Sequence, residues 1–155
     1  MFRLSGLALA LLVAGAVGIT SLSLPVAAAD DPANVIKYRK RAMEANASHI
    51  TNIFSVLKGE TSSGGHIAAH ARAISDSAAV MPDIFPQGSG DGDTDALPSI
   101  WQDWAKFEAA AMTLKTAADK LASAAGTGDM AAIGAAAGAV GKACGGCHEP
   151  FRKKK

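Results

Sequence analysis

Apolar residues recur along this chain at intervals of three and four, the spacing that lines one face of a helix. From Pro32 to Lys58 the set is Ile36, Met43, Ile50, Phe54 and Leu57, with Asp31 and Pro32 suited to cap and open a helix that ends at Gly59. Ser62 to Met81 places Ile67, Ile74 and Ala78 at helical intervals and stops before Pro82, which predicts a second helix. A third is expected over 99–125, carrying Trp101, Trp104, Ala111, Leu114, Ala118 and Leu121 and broken by Gly126 to Gly128. The fourth has the cleanest pattern: Met130, Ile133, Ala137, Val140, Cys144, Cys147 and Phe151 step by three and four to the C-terminus. Between the second and third lies a long loop, Pro82 to Pro98, with three Pro, three Gly and four Asp.

No alternating strand pattern of useful length is present, and two of the three connections are short. The expected fold is therefore all-α, an antiparallel up-down-up-down four-helix bundle. Many interior positions are Ala or Gly, among them Ala132, Gly134, Ala136, Ala137 and Gly138, so side chains alone build a thin core that something larger would complete.

Residues 1–29 read as an address. Arg3, the apolar run Leu7 to Ile19 and the closing Pro25-Val26-Ala27-Ala28-Ala29 have the form of a secretory signal, cleaved before Asp30 to leave a domain over 30–155 in the periplasm. A retained anchor fits less well, because the apolar run is shorter than a spanning helix needs, and no stable membrane insertion is expected. The chain of 155 residues, 49% hydrophobic and 5% aromatic, suits one small domain and not a multidomain enzyme. Its formal charge of +1 excludes the basic surplus that phosphate backbones require, so nucleic acid is not an expected partner.

The chemistry is concentrated in Cys144-Gly145-Gly146-Cys147-His148, the C-x-x-C-H pattern of covalent c-type haem attachment. On a helix, cysteines three apart share a face, so two thiols can add to two vinyl groups of one macrocycle. His148 then presents an imidazole to the iron as proximal ligand. Zinc would need four ligands, a thioredoxin-like pair would need a strand before the helix, and a plain disulfide accounts for neither His148 nor the export signal.

The chain resembles the class II cytochromes c, which comprise cytochrome c prime and a low-spin branch with methionine as second axial ligand. The resemblance rests on Val35-Ile36-Lys37-Tyr38-Arg39 followed by Met43, on Phe85-Pro86 leading to Pro98-Ser99-Ile100-Trp101, and on the C-terminal placement of Cys144 to His148 with Phe151-Arg152-Lys153. It implies one covalent haem c, a haem propionate paired with Arg39, and Arg152 as a basic residue near the proximal ligand. It also implies that Met43 faces the iron opposite His148.

Bundle geometry independently brings Met43 level with His148, puts Met130 at the far end and Met112 too deep, and keeps Met81 in reserve. Ligation by Met43 would make a low-spin one-electron carrier serving periplasmic redox partner proteins. A Met43 that only covers the iron would instead leave a high-spin cytochrome c prime open to NO or CO. Neither reading supplies a distal acid–base group, so no enzyme is expected.

The family's frequent homodimers imply contact through the first two helices, where Ala68, Ala69, Ala71 and Ala78 would permit close approach. Trp101, Trp104 and Phe107 are expected to pack against the ring or close the core. His66 and His70, four apart, could share a metal on the second helix, but no third or fourth ligand is visible and both are expected to face water, as is His49. The basic C-terminus, Arg152 to Lys155, is a candidate surface for steering an acidic partner.

Overall fold

The computed structural model describes residues 30–154. The proposed signal, 1–29, lies outside the described residues. Five α-helices run in the order α1 (Pro32–Leu57), α2 (Ile67–Ala79), α3 (Ser99–Gln102), α4 (Trp104–Ala125) and α5 (Met130–Phe151), and four of them, all but the single turn α3, form the expected bundle. No strand longer than a single bridge occurs among the described residues.

Local chemistry sets the ends. Asp31 accepts from the Ala33 amide at 2.9 Å and Pro32 occupies the first turn of α1, where its missing N–H costs nothing. Asp129 accepts from the amides of Ala131 and Ala132 at 2.9 and 3.2 Å and starts α5 in the same way. Two boundaries differ from the sequence expectation. The second helix begins five residues late, at Ile67, because the Gly64–Gly65 pair prefers a short 3₁₀ turn, Gly64–His66. The third splits at Asp103, whose φ of −131° and ψ of 62° leave helical space so that its carboxylate can cap α4 at Lys106 N.

Helix α4 is the axis of the bundle, packed on α2 along one side and α5 along the other. Five alanines, Ala71, Ala78, Ala111, Ala118 and Ala137, are at most 1% exposed and let these helices approach closely. Ala71 and Ala78 thus belong to the chain's own core, which corrects the expectation that they permit close approach of a second copy; Ala69 is exposed and Ala68 half-buried. Ile53, Ile67, Ile74, Ile100, Phe107, Leu121 and Val140 fill the remaining interior. By contrast, α1 and α5 touch only sparsely, and the seam between them is open.

The loop 80–98 is built into the fold. A 3₁₀ turn, Met81–Ile84, drops Met81 and Phe85 into the core. Trp101 Nε1 donates to the Phe85 and Pro86 carbonyls at 2.9 and 3.2 Å, and the indole lies so close under Gly90 that a Cβ there would sit 2.9 Å from its ring. At the far side the loop joins α5: Leu97 N donates to Phe151 O at 3.0 Å, Lys153 N to Asp95 O at 2.8 Å and Ser99 Oγ to Pro150 O at 2.6 Å.

Candidate functional site

The open α1–α5 seam leads into a cavity of about 420 Å³. Cys144, Cys147 and His148 of α5 line it, and Met43 of α1 lines it as well. Ile74, Met81, Phe85, Ile100, Phe107 and Leu114 complete an apolar interior. Phe107 stacks edge-on against Phe85 and Phe151, with centroids 4.8 and 5.4 Å apart. Trp104 flanks Phe107 at 5.4 Å, whereas Trp101 serves the loop instead of the cavity.

Gly145 and Gly146 lie on the exposed side of α5, which leaves both sulfurs on the cavity side. The two cysteines form no disulfide, and burial raises the thiol pKa of both, that of Cys147 to about 11, with Cys144 beside it adding to the effect. They are neutral and poor candidates for an anionic metal centre. Burial, with Arg152 adding to it, lowers the pKa of His148, so its imidazole is neutral and keeps a lone pair for a metal. Two neutral thiols, one neutral imidazole and an apolar pocket at an open seam suit a large, flat, largely apolar group held by thioethers and one axial nitrogen.

Arg39 is only 3% exposed and its guanidinium is held by the loop. It donates to Ser89 Oγ at 3.1 Å, Ser89 O at 2.9 Å and Thr94 Oγ1 at 2.8 Å, with Ile84 O at 3.5 Å, and lies 4.4 Å from the Phe85 ring centroid. It also lines the cavity, as does Arg152. The fixed partners come from residues 45 to 55 positions away, which sequence spacing does not foresee.

Of the other methionines, Met81 is 3% exposed on the cavity wall, while Met112 and Met130 are 51% and 49% exposed and take no part. Asn46, one turn beyond Met43, was not singled out by sequence. It lines the cavity, donates through Nδ2 to Ser77 Oγ at 2.9 Å, and buries an Oδ1 that has no partner. Its spacing of three from Met43 was the available signal.

A family model described as Cytochrome C' matches residues 34–152, nearly the whole described domain. The chain belongs to the cytochrome c' family. Cytochrome c' of Rhodospirillum rubrum is 38% identical over 143 residues, 92% of this chain and 96% of the relative. The solved cytochrome c prime from Shewanella frigidimarina superposes with a TM-score of 0.75 at 32% identity, covering 81% of this chain and 98% of that one. A nitric oxide complex of a variant of cytochrome c prime from Alcaligenes xylosoxidans gives a TM-score of 0.73 at 34% identity over 81% and 98%. As a member of this family the protein is a mono-haem cytochrome whose cofactor is one covalent haem c.

Proposed function

We propose that this cytochrome binds a small neutral diatomic, NO or CO, on the haem face covered by Met43, and that it is a binding protein, not an enzyme. Cys144 and Cys147 would hold the macrocycle by thioethers, and His148 would ligate its iron as the proximal ligand. When bound through these residues, haem would supply a redox-active iron able to take a neutral diatomic. The observation that carries the reading is the cavity itself: the attachment motif lines it together with Met43 and an apolar cluster of Ile74, Met81, Phe85, Ile100, Phe107 and Leu114, while Arg39, Asn46 and Arg152 are among its polar lining.

The residues divide the work. Burial keeps the His148 imidazole neutral and able to ligate. Met43, half-buried and packed against the core, covers the open position, and apolar walls disfavour charged ligands, whose desolvation is not repaid there. Arg39 stands at the polar rim, where a haem propionate would be placed. In this reading the Met43 sulfur is a lid and not a ligand, the second of the two alternatives the sequence left open; the similarity to a relative solved as a nitric oxide complex favours it. Export to the periplasm belongs to the same proposal and rests on the signal-like residues 1–29.

Absorption spectra of the purified holoprotein, ferric and ferrous, with and without CO, test it. A broad high-spin spectrum that shifts on CO addition supports gas binding. A sharp low-spin spectrum indifferent to CO, which becomes high-spin in Met43→Ala, would overturn it in favour of electron transfer with Met43 ligated.

A further inference from the structure

His49 of α1 and His70 of α2 face each other across the seam between their helices. Their Nδ1 atoms are 2.9 Å apart and their ring centroids 5.1 Å, at an interplanar angle of 45°. Both residues are half-buried, which corrects the sequence expectation that each faces water; His66 alone of the three is exposed. The reason is positional: His49 is off the Met43 face of α1, yet its own face looks onto α2 instead of solvent.

We propose that His49 and His70 form a chelating site for a borderline transition-metal cation, Cu²⁺ by preference, separate from the haem cavity. Two ligands cis on a square-planar ion, each with a bond of about 2.0 Å, stand about 2.8 Å apart, whereas a tetrahedral ion holds them about 3.3 Å apart. The observed separation of 2.9 Å is set by a hydrogen bond between the rings, yet it already lies near the spacing a square-planar ion such as Cu²⁺ or Ni²⁺ requires, so little movement is needed to chelate one, and copper binds nitrogen ligands more tightly than its neighbours do. The donors are imidazole nitrogens, and no group of three or more His, Cys, Asp or Glu side chains occurs among the described residues, so the protein offers two nitrogens and no carboxylate, which disfavours Ca²⁺ and Mg²⁺.

Protonation also suits the metal. A direct Nδ1 to Nδ1 hydrogen bond needs at least one ring neutral, and burial, then His49, then His66 lower the pKa of His70. On binding to the neutral pair, the ring that donates shifts its proton from Nδ1 to Nε2. Both Nδ1 lone pairs then turn to the metal, with no net proton release. The remaining positions go to water, since no third metal-binding side chain groups with the pair among the described residues.

The test uses the ferric holoprotein with one equivalent of Cu²⁺, followed by electron paramagnetic resonance and by titration against a competing chelator. The expected result is one copper per chain with hyperfine coupling to two imidazole nitrogens. His49→Ala and His70→Ala should each weaken binding by about tenfold or more. Coupling to fewer than two nitrogens in the unaltered protein, or affinity unchanged in both variants, would overturn the proposal. The nitrogen count needs no variant, so it decides the matter even if a substitution impairs folding, which the haem spectrum and far-UV dichroism report separately.

Discussion

Replacing Arg39 with methionine keeps much of the side-chain volume and removes the charge that organises the loop. Three of its contacts, at 3.1, 2.9 and 2.8 Å, are charge-assisted hydrogen bonds to Ser89 and Thr94; the fourth, at 3.5 Å, is marginal. Such bonds contribute about 1.5–3 kcal/mol each, set against the desolvation of a guanidinium only 3% exposed. Ser89 Oγ keeps its bond to Pro86 O, so the substitution strands chiefly the Ser89 carbonyl and leaves Thr94 Oγ1 with only the Ala96 amide. A loss of about 3 kcal/mol is expected, in the range found when one partner of a buried charged network is removed. For a domain of this size that lowers Tm by about 10 °C. Chemical denaturation of the holoprotein gives the free energy, and hydrogen exchange shows where it is lost: protection should fall over 84–96 and persist in the α2–α4 core. A cost below about 1 kcal/mol with unchanged loop protection would refute the assignment of Arg39 as the loop's anchor.

Four further expectations follow. Replacing both Cys144 and Cys147 with serine should leave haem that separates from the polypeptide under denaturing conditions, whereas it migrates with the parent chain; retention in the double variant would count against thioether attachment. Because His70 titrates below the ordinary imidazole value of 6.5, the unfolded chain binds more protons there than the folded one. Its contribution is complete above about pH 6.5 and is lost as pH falls through and below that value, so urea midpoints of His70→Gln should show a flatter decline on acidification. Gly90→Val should destabilise by about 1–3 kcal/mol, since even a Cβ would meet the Trp101 ring at 2.9 Å; a calorimetric scan matching the parent protein would show that the indole yields. Lys153→Glu with Lys154→Glu should slow reduction by an acidic redox protein at low salt, measured by stopped flow; since Lys153 Nζ also donates to Thr94 O at 2.9 Å, Lys154→Glu alone separates steering from loop damage.

Helical periodicity made α1, α4 and α5 legible because each buries a stripe, and the attachment motif needed only its own five residues. What it missed involves two elements at once. Asp103 breaks the third predicted helix because a carboxylate in mid-pattern serves as a cap, and the turn before it places the Trp101 ring against Gly90. The partners of Arg39 are carbonyl and hydroxyl oxygens of a loop whose path no spacing reveals. His49 and His70 are 21 positions apart, and the rule that placed His49 off one face could not say what the other face meets. Small residues at Ala71 and Ala78 suit an outside contact and an inside one equally, and the interior used them.

The loop between α2 and α3 closes a mechanical circuit. Arg39, one turn before Met43 on α1, grips the loop at Ser89 and Thr94, and two residues later the loop hydrogen-bonds the end of α5 through the Ala96–Arg152 bridge, just beyond His148. The two walls of the cavity, about a hundred positions apart in sequence, are therefore joined by a short strut that spans their rim. The strut acts as a spacer: the wall carrying His148 cannot swing away from the wall carrying Met43 without breaking hydrogen bonds in the loop. The width of the cavity is thus a property of the loop's length and grip, and a one-residue insertion between Ser89 and Thr94 would alter it without touching the attachment motif or Met43.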